Sequence, residues 1–309
     1  MTGPVRPPVR PRRLVAGDLV AVVAPSGPVV PERLDAGVAL LESWGLEVVV
    51  GDHARDLAGH LAGADVDRGA DVTAAWCDPQ VAAVLAARGG SGSARLVDEL
   101  DWDRLRRAGP KVFVGFSDAT VLHQAIALEL GLVTLYGPVV AAVTFAGPEA
   151  DPATAEHLRL SLFEPDRATV LAGSNGRPGR SGGVARGLTA GGTLTLLASS
   201  AGTRSATRAE GALVVLEDIG EPIWRLDRAL TQLLRSGYFD GARGVALGTW
   251  RDCEEGATEF LMDRLAAIGV PTVAGLPVGH GSPQLTVPFG VPAELDAVSS
   301  RLTWAPALA

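Results

Sequence analysis

Short apolar runs alternate with stretches whose apolar positions recur at helical spacing along the first half of the chain. The runs 18–24, 46–50, 81–87, 111–115 and 133–136 predict strands, each short and bounded by polar, glycine or proline residues. Between them, 31–44 predicts a helix opened by Pro31, and further helices are predicted to begin at Ser93 and Asp118. Strand and helix in regular alternation imply a parallel sheet covered on both faces, a Rossmann- or flavodoxin-like α/β layout. In such sheets ligands sit beyond the carboxyl ends of the strands, which is where Gly90 and Ser117 fall.

From 147 to 183 the pattern dissolves into Pro, Gly, Asp, Ser and Arg, with a short helix expected near 153–163 and a flexible piece at 177–183. Periodicity returns at Val184. Strands are predicted at 213–217, 245–249 and 272–274, and helices at 193–200, 223–235 and 258–268. The expected organisation is a disordered tail over 1–16, an N-terminal α/β domain over 17–146, a linker over 147–183 and a second α/β domain over 184–309. The active site is expected at the interface of the two domains.

Composition fits this picture. The chain has 309 residues, 47% of them hydrophobic and 20% charged, a globular profile long enough for two cores. A net charge of −8 argues against nucleic-acid binding. Cys77 and Cys253 are far apart and lack metal-ligand spacing, so they read as buried thiols of a reducing compartment. The Pro- and Arg-rich residues 1–13 contain no continuous apolar core of the signal-peptide kind, and no stretch reaches the ~20 apolar residues of a transmembrane helix. The expectation is a cytoplasmic protein without membrane contact.

Three sites carry the chemistry. Gly115-Phe116-Ser117-Asp118 lies where a strand turns into a helix, so the Ser117 hydroxyl points out of the sheet beside the free amides of the first helical turn. That is one way to present a nucleophile; the other reading is that Ser117 or Asp118 caps the helix. Residues 212–216 are an uninterrupted apolar run ending in Glu217 and Asp218, and Gly279-His280-Gly281 places a histidine between two glycines. Serine, acid and histidine in this chain order match the α/β-hydrolase order. The roles would be Ser117 as nucleophile, His280 as general base and then acid, and Glu217 as the group orienting the imidazole.

Other motifs carry less. Gly90-Ser91-Gly92 begins a dinucleotide fingerprint, but Arg95 stands at the place of the third glycine, and there is neither a P-loop nor an HExxH. Glu217, Asp218 and Glu221 could ligate a hard cation, yet form one local cluster without a distant partner. No metal and no cofactor is expected. His53, His60, His123 and His157 carry no signal. The Arg225-Leu226-Asp227-Arg228 pattern reads as ion pairing on a helix face, with contact from Arg225 to a substrate carboxylate as the minority reading.

Taken together, Val22-Val23-Ala24-Pro25-Ser26-Gly27, Arg88-Gly89-Gly90, Gly115-Phe116-Ser117-Asp118, Tyr136-Gly137-Pro138, Gly191-Gly192-Thr193-Leu194, Leu216-Glu217-Asp218-Ile219-Gly220-Glu221 and Val278-Gly279-His280-Gly281 resemble the motifs of one serine-peptidase family. It is the family of the LD-carboxypeptidases (muramoyltetrapeptide carboxypeptidases) and the microcin C immunity proteins, and the resemblance spans roughly 18–292. It implies the triad Ser117, Glu217 and His280, and an oxyanion hole from amides near Gly90 and of Asp118. It also implies removal of the terminal D-alanine from murein tetrapeptides during peptidoglycan recycling, with a small muropeptide as the partner and a homodimer as the assembly. The alternative it carries is hydrolysis of aminoacyl-nucleotide toxins of the microcin C type; that branch stacks aromatics on the base, and residues 173–183 contain none. Family members often have an aromatic where this chain has Ser91 and an asparagine at Ala94 and Thr193, so Ser91, Thr193 and Arg225 are candidate substrate-binding positions.

Overall fold

The computed structural model describes residues 8–173, the backbone of 177–178, and 182–309. Its strands are β1 (Leu19–Val23), β2 (Glu47–Val50), β3 (Val81–Ala86), β4 (Val112–Gly115), β5 (Thr134–Tyr136), β6 (Val170–Ala172), β7 (Arg177–Pro178), β8 (Val184–Thr193), β9 (Ala212–Ile219), β10 (Gly244–Arg251), β11 (Thr272–Ala274), β12 (Val287–Phe289), β13 (Pro292–Asp296) and β14 (Arg301–Trp304). Its helices are α1 (Pro31–Ser43), α2 (Asp65–Cys77), α3 (Ser93–Leu96), α4 (Trp102–Ala108), α5 (Thr120–Glu129), α6 (Pro152–Phe163), α7 (Leu194–Ser200), α8 (Ile223–Arg235) and α9 (Ala257–Leu265).

The strands form two sheets. The first runs β12-β5-β4-β3-β1-β2 and is parallel except for β12, which pairs antiparallel with β5. The second runs β6-β14-β13-β8-β9-β10-β11-β7, with β8 to β11 parallel and antiparallel strands at both ends. The molecule is thus a two-domain α/β arrangement. The chain crosses back, because β12 follows the second domain's β11 in sequence yet completes the first sheet.

Period-two alternation sorts the strands' side chains into cores. Val20 and Val22 of β1, Val112 and Val114 of β4, and Leu213 and Val215 of β9 join one buried cluster that runs through both domains. Ala21, Val23 and Phe113 turn the other way, against the inner residues of α2 and α5. Val214, Leu216, Val245 and Leu247 do the same in the second domain, where they meet α7, α8 and α9. In α8 the buried residues are Leu226, Ala229, Leu230 and Leu233, an i, i+3, i+4, i+7 stripe.

Several expectations need correction. Residues 8–16 are not a loose tail: Val9 bridges to Leu132, the Leu14 amide donates to Leu162, and the Leu14 side chain is buried. Residues 1–7 lie outside the described residues, as do 179–181 of the expected flexible piece at 177–183. The segment expected to be a linker carries α6, capped by the Asp151 carboxylate with Pro152 in the first turn, and β6, which edges the second sheet. The helix expected from Asp118 opens with a tight turn over Ser117–Ala119 before α5 begins at Thr120.

Candidate active site

β4 ends at Gly115, and the chain turns sharply through Phe116 into α5. Ser117 holds φ of +57°, a left-handed conformation costly for a residue with a Cβ. That turn lifts its Oγ to 3.1 Å from Nε2 of His280. On the other ring nitrogen, Nδ1 of His280 lies 2.7 Å from Oε2 of Glu217, and the His280 amide donates to the same oxygen at 3.1 Å. Three residues far apart in sequence therefore form one hydrogen-bonded chain, from the end of β4 through the loop after β11 to β9.

Neither alternative cap forms. The Asp118 carboxylate accepts from the Ser93 amide at 2.8 Å, and the Asp118 carbonyl accepts from the Ser93 hydroxyl at 2.5 Å. Asp118 thereby ties the elbow to α3, immediately after the Gly89–Gly92 turn. Gly89 lies against the nucleophile: a Cβ there would sit 2.8 Å from Cβ of Ser117. The β1–α1 turn supports the same segment, with the Gly27 amide donating to the Gly89 carbonyl at 3.0 Å.

Glu217 is fully buried, and its four hydrogen-bonding contacts come from the groups around it. Oε2 faces His280, while Oε1 accepts from the hydroxyls of Tyr136 and Thr193, each at 2.7 Å. A buried carboxylate is tolerable only when satisfied in this way. Burial, with the Glu217 charge beside it, holds the Tyr136 phenol well above its ordinary pKa, so it remains a donor. Neighbouring Asp218 is pushed up to about 6 by burial, and its oxygens accept from the Thr195 and Ile219 amides. Glu217 and Asp218 are thus held by protein partners, and Glu221 lies 3.4 Å from the exposed Arg225.

Glycines permit two close approaches, one within the second domain and one between the domains. At Gly279, φ +113°, a Cβ would fall 2.7 Å from Oε2 of Glu217, so only glycine lets the histidine loop lie on the acid. At Gly192, φ +138°, it would fall 2.4 Å from Cγ2 of Thr120, whose Oγ1 accepts from the Thr193 amide at 3.1 Å. The loop after His280 is pinned from α6: Ser282 donates to Asp151 at 2.7 Å, and the Gln284 amide donates to Thr154 at 2.8 Å.

The Ser117–His280 edge opens into a cleft of about 510 Å³ lined by both domains, including Gly89, Gly90, Phe116, Ile219, Arg251 and Gln284. Gly90 stands on its wall. Thr193 is buried behind Glu217, where it holds the carboxylate. Ser91 and Arg225 are exposed and do not line the cleft; Arg225 lies near Glu221, just before α8, and the Trp224 ring, while Asp227 pairs with Arg264. Tyr136 and Arg88 were visible within motifs but given no role, and Arg33 and Arg251 at the cleft were not singled out; the sequence neighbours of these two gave no signal. His123 is buried beneath the elbow, accepting from Thr134 and donating to the Gly115 carbonyl, and burial lowers its pKa to about 4.

Comparison with known proteins follows this geometry. Residues 20–137 match the LD-carboxypeptidase N-terminal domain and residues 186–295 the LD-carboxypeptidase C-terminal domain. A putative carboxypeptidase of Streptomyces coelicolor is 54% identical over 96% of this chain and 96% of its own length. The murein tetrapeptide carboxypeptidase of Pseudomonas aeruginosa is 34% identical over 92% of this chain and 94% of its own. Among solved structures, the microcin C7 self-immunity protein MccF superposes with a TM-score of 0.86, covering 98% of this chain and 100% of that one; at 23% identity this is a likeness of fold.

Proposed function

This chain belongs to the LD-carboxypeptidase family and is a serine-type carboxypeptidase, and from that premise we propose that it removes the terminal D-alanine from murein tetrapeptides through an acyl-enzyme on Ser117. The observation that carries the proposal is the unbroken Ser117–His280–Glu217 hydrogen-bond chain opening on a cleft between the domains.

In this mechanism neutral His280, holding its proton on Nδ1 toward Glu217, takes the Ser117 proton at Nε2 as Oγ attacks the carbonyl before the D-residue. The amides of Gly90 and Asp118 receive the developing oxyanion, an interaction worth roughly 3–4 kcal/mol per donor. The proton on Nε2 then passes to the leaving amine of D-alanine. Water, deprotonated by His280, releases the shortened peptide. Glu217 fixes the tautomer and stabilises the imidazolium, and its own orientation is held by Tyr136 and Thr193.

Hydrolysis of aminoacyl-nucleotide conjugates is the second reading, favoured by the likeness of fold to MccF. The discriminating experiment offers the protein a murein tetrapeptide and an aminoacyl sulfamoyl-adenosine and follows products by mass spectrometry. Loss of one D-alanine from the tetrapeptide is expected. Cleavage of the nucleotide conjugate alone would overturn the proposal.

A further inference from the structure

The proposed reaction places a constraint on the cleft that the triad does not meet. A carboxypeptidase must recognise a free terminal carboxylate, and His280 must lie beside the leaving nitrogen to protonate it. With N–Cα and Cα–C bonds of about 1.5 Å each, the carboxylate oxygens lie within about 4 Å of that nitrogen. The group that binds them therefore has to stand on the His280 side of the cleft.

Three arginines line the cleft. Arg88 donates to the Pro28 carbonyl, at the turn between β1 and α1, and Arg33 sits in the first turn of α1, so both belong to the wall that carries Gly89 and Gly90. Arg251, at the end of β10, is the one tied to the histidine loop: its Nη1 donates to the His280 carbonyl at 3.4 Å. Its Nε faces Asp252, whose carboxylate is 3.4 Å away and largely exposed, and Asp252 holds φ of +54°. The guanidinium is half exposed, leaving its remaining N–H groups for a ligand.

Resting on the carboxypeptidase reading above, we propose that Arg251 binds the free carboxylate of the departing residue and so makes this enzyme specific for a chain end. A planar fork suits a carboxylate, and contact with the His280 carbonyl fixes it beside the reacting bond. Asp252 and the His280 carbonyl orient the guanidinium before substrate arrives.

The test compares kcat/KM for the tetrapeptide and for its C-terminal amide, in wild type and in Arg251→Ala, Arg251→Lys and Arg88→Ala. Loss of one charge-assisted contact corresponds to about 10- to 100-fold. Wild type is expected to favour the acid over the amide by that factor. Arg251→Ala should lose it on the acid alone, with the amide rate within about threefold of wild type, and Arg251→Lys should restore part of the preference. Equal losses on acid and amide, an indifferent wild type, or a preference erased by Arg88→Ala instead would overturn the assignment while leaving the carboxypeptidase reading intact. Release of neither D-alanine from the acid nor D-alaninamide from the amide by wild type would overturn both.

Discussion

Gly89→Ala isolates the geometry of the nucleophile from the stability of the fold. Gly89 does not occupy the left-handed region, so alanine is compatible with its backbone, but the added methyl would stand 2.8 Å from Cβ and 3.1 Å from Oγ of Ser117. Carbon atoms in ordinary contact lie about 3.5–4.0 Å apart, so Ser117 or the Gly89 turn has to move by roughly 0.7 Å. The Gly89 turn is itself held, its carbonyl accepting from the Gly27 amide at 3.0 Å, so the shift falls on Ser117. A displacement of that size takes the 3.1 Å Oγ–Nε2 contact beyond hydrogen-bond length. Misplacement on this scale costs about 100-fold in rate, whereas overpacking at one site costs about 1–3 kcal/mol of stability. The assay is D-alanine release from the tetrapeptide, alongside urea unfolding of the same preparation. A folded variant with kcat within threefold of wild type would refute the claim that the close approach of Gly89 positions the serine.

Two further perturbations address the support of the triad and of the elbow. Tyr136→Phe keeps the ring packing but removes one of the two hydroxyls on Oε1 of Glu217; stability should fall by about 2 kcal/mol and kcat about tenfold, and unchanged values by urea unfolding and D-alanine release would exclude Tyr136 from holding the acid. His123, neutral in the fold with a pKa of about 4 against 6.5 in the unfolded chain, contributes stability that is complete above pH 6.5 and lost as pH falls toward 4, up to about 3 kcal/mol. Asp218, raised to about 6, works in the opposite direction over part of that range, so the comparison is with His123→Gln at each pH: the stability gap should narrow on acidification, and parallel curves would contradict the assignment.

Much of this was legible in the chain because local physics and tertiary structure agree there. β1, β3 and β4 are short, apolar and bounded by breakers, and α8 carries its buried stripe in a regular i, i+3, i+4 pattern. The elements that escaped lack such agreement. α2 is rich in aspartate and contains Gly69, and what makes it a buried helix is the enclosed Arg68, bonded to the Pro25 carbonyl, together with Trp76. β8 carries three glycines and little β-branched surface, because its neighbours come too close for side chains: a Cβ on Gly191 would fall 1.9 Å from the Val215 carbonyl. β12 to β14 are short and pair with β5, β8 and β6, all distant in sequence.

The candidate site divides along the same line. Ser117, Glu217 and His280 are announced by the turn, the run and the glycines around them. The substrate-facing guesses at Ser91, Thr193 and Arg225 rested on position within motifs, and a motif does not say which way a side chain faces. Thr193 turns inward to Glu217, the Thr193 amide being drawn to Thr120 across the two glycines that precede it. Arg251 was invisible for the opposite reason: its place beside His280 depends on a contact between two segments that share no local pattern.

The central claim is that Ser117 is the nucleophile of a D-alanine-releasing enzyme, and the most direct measurement is the rate of D-alanine release from a murein tetrapeptide by wild type and by Ser117→Ala side by side. Wild type should turn over, and the folded variant should be slower by at least about 10⁴-fold. A variant within tenfold of wild type would contradict the account.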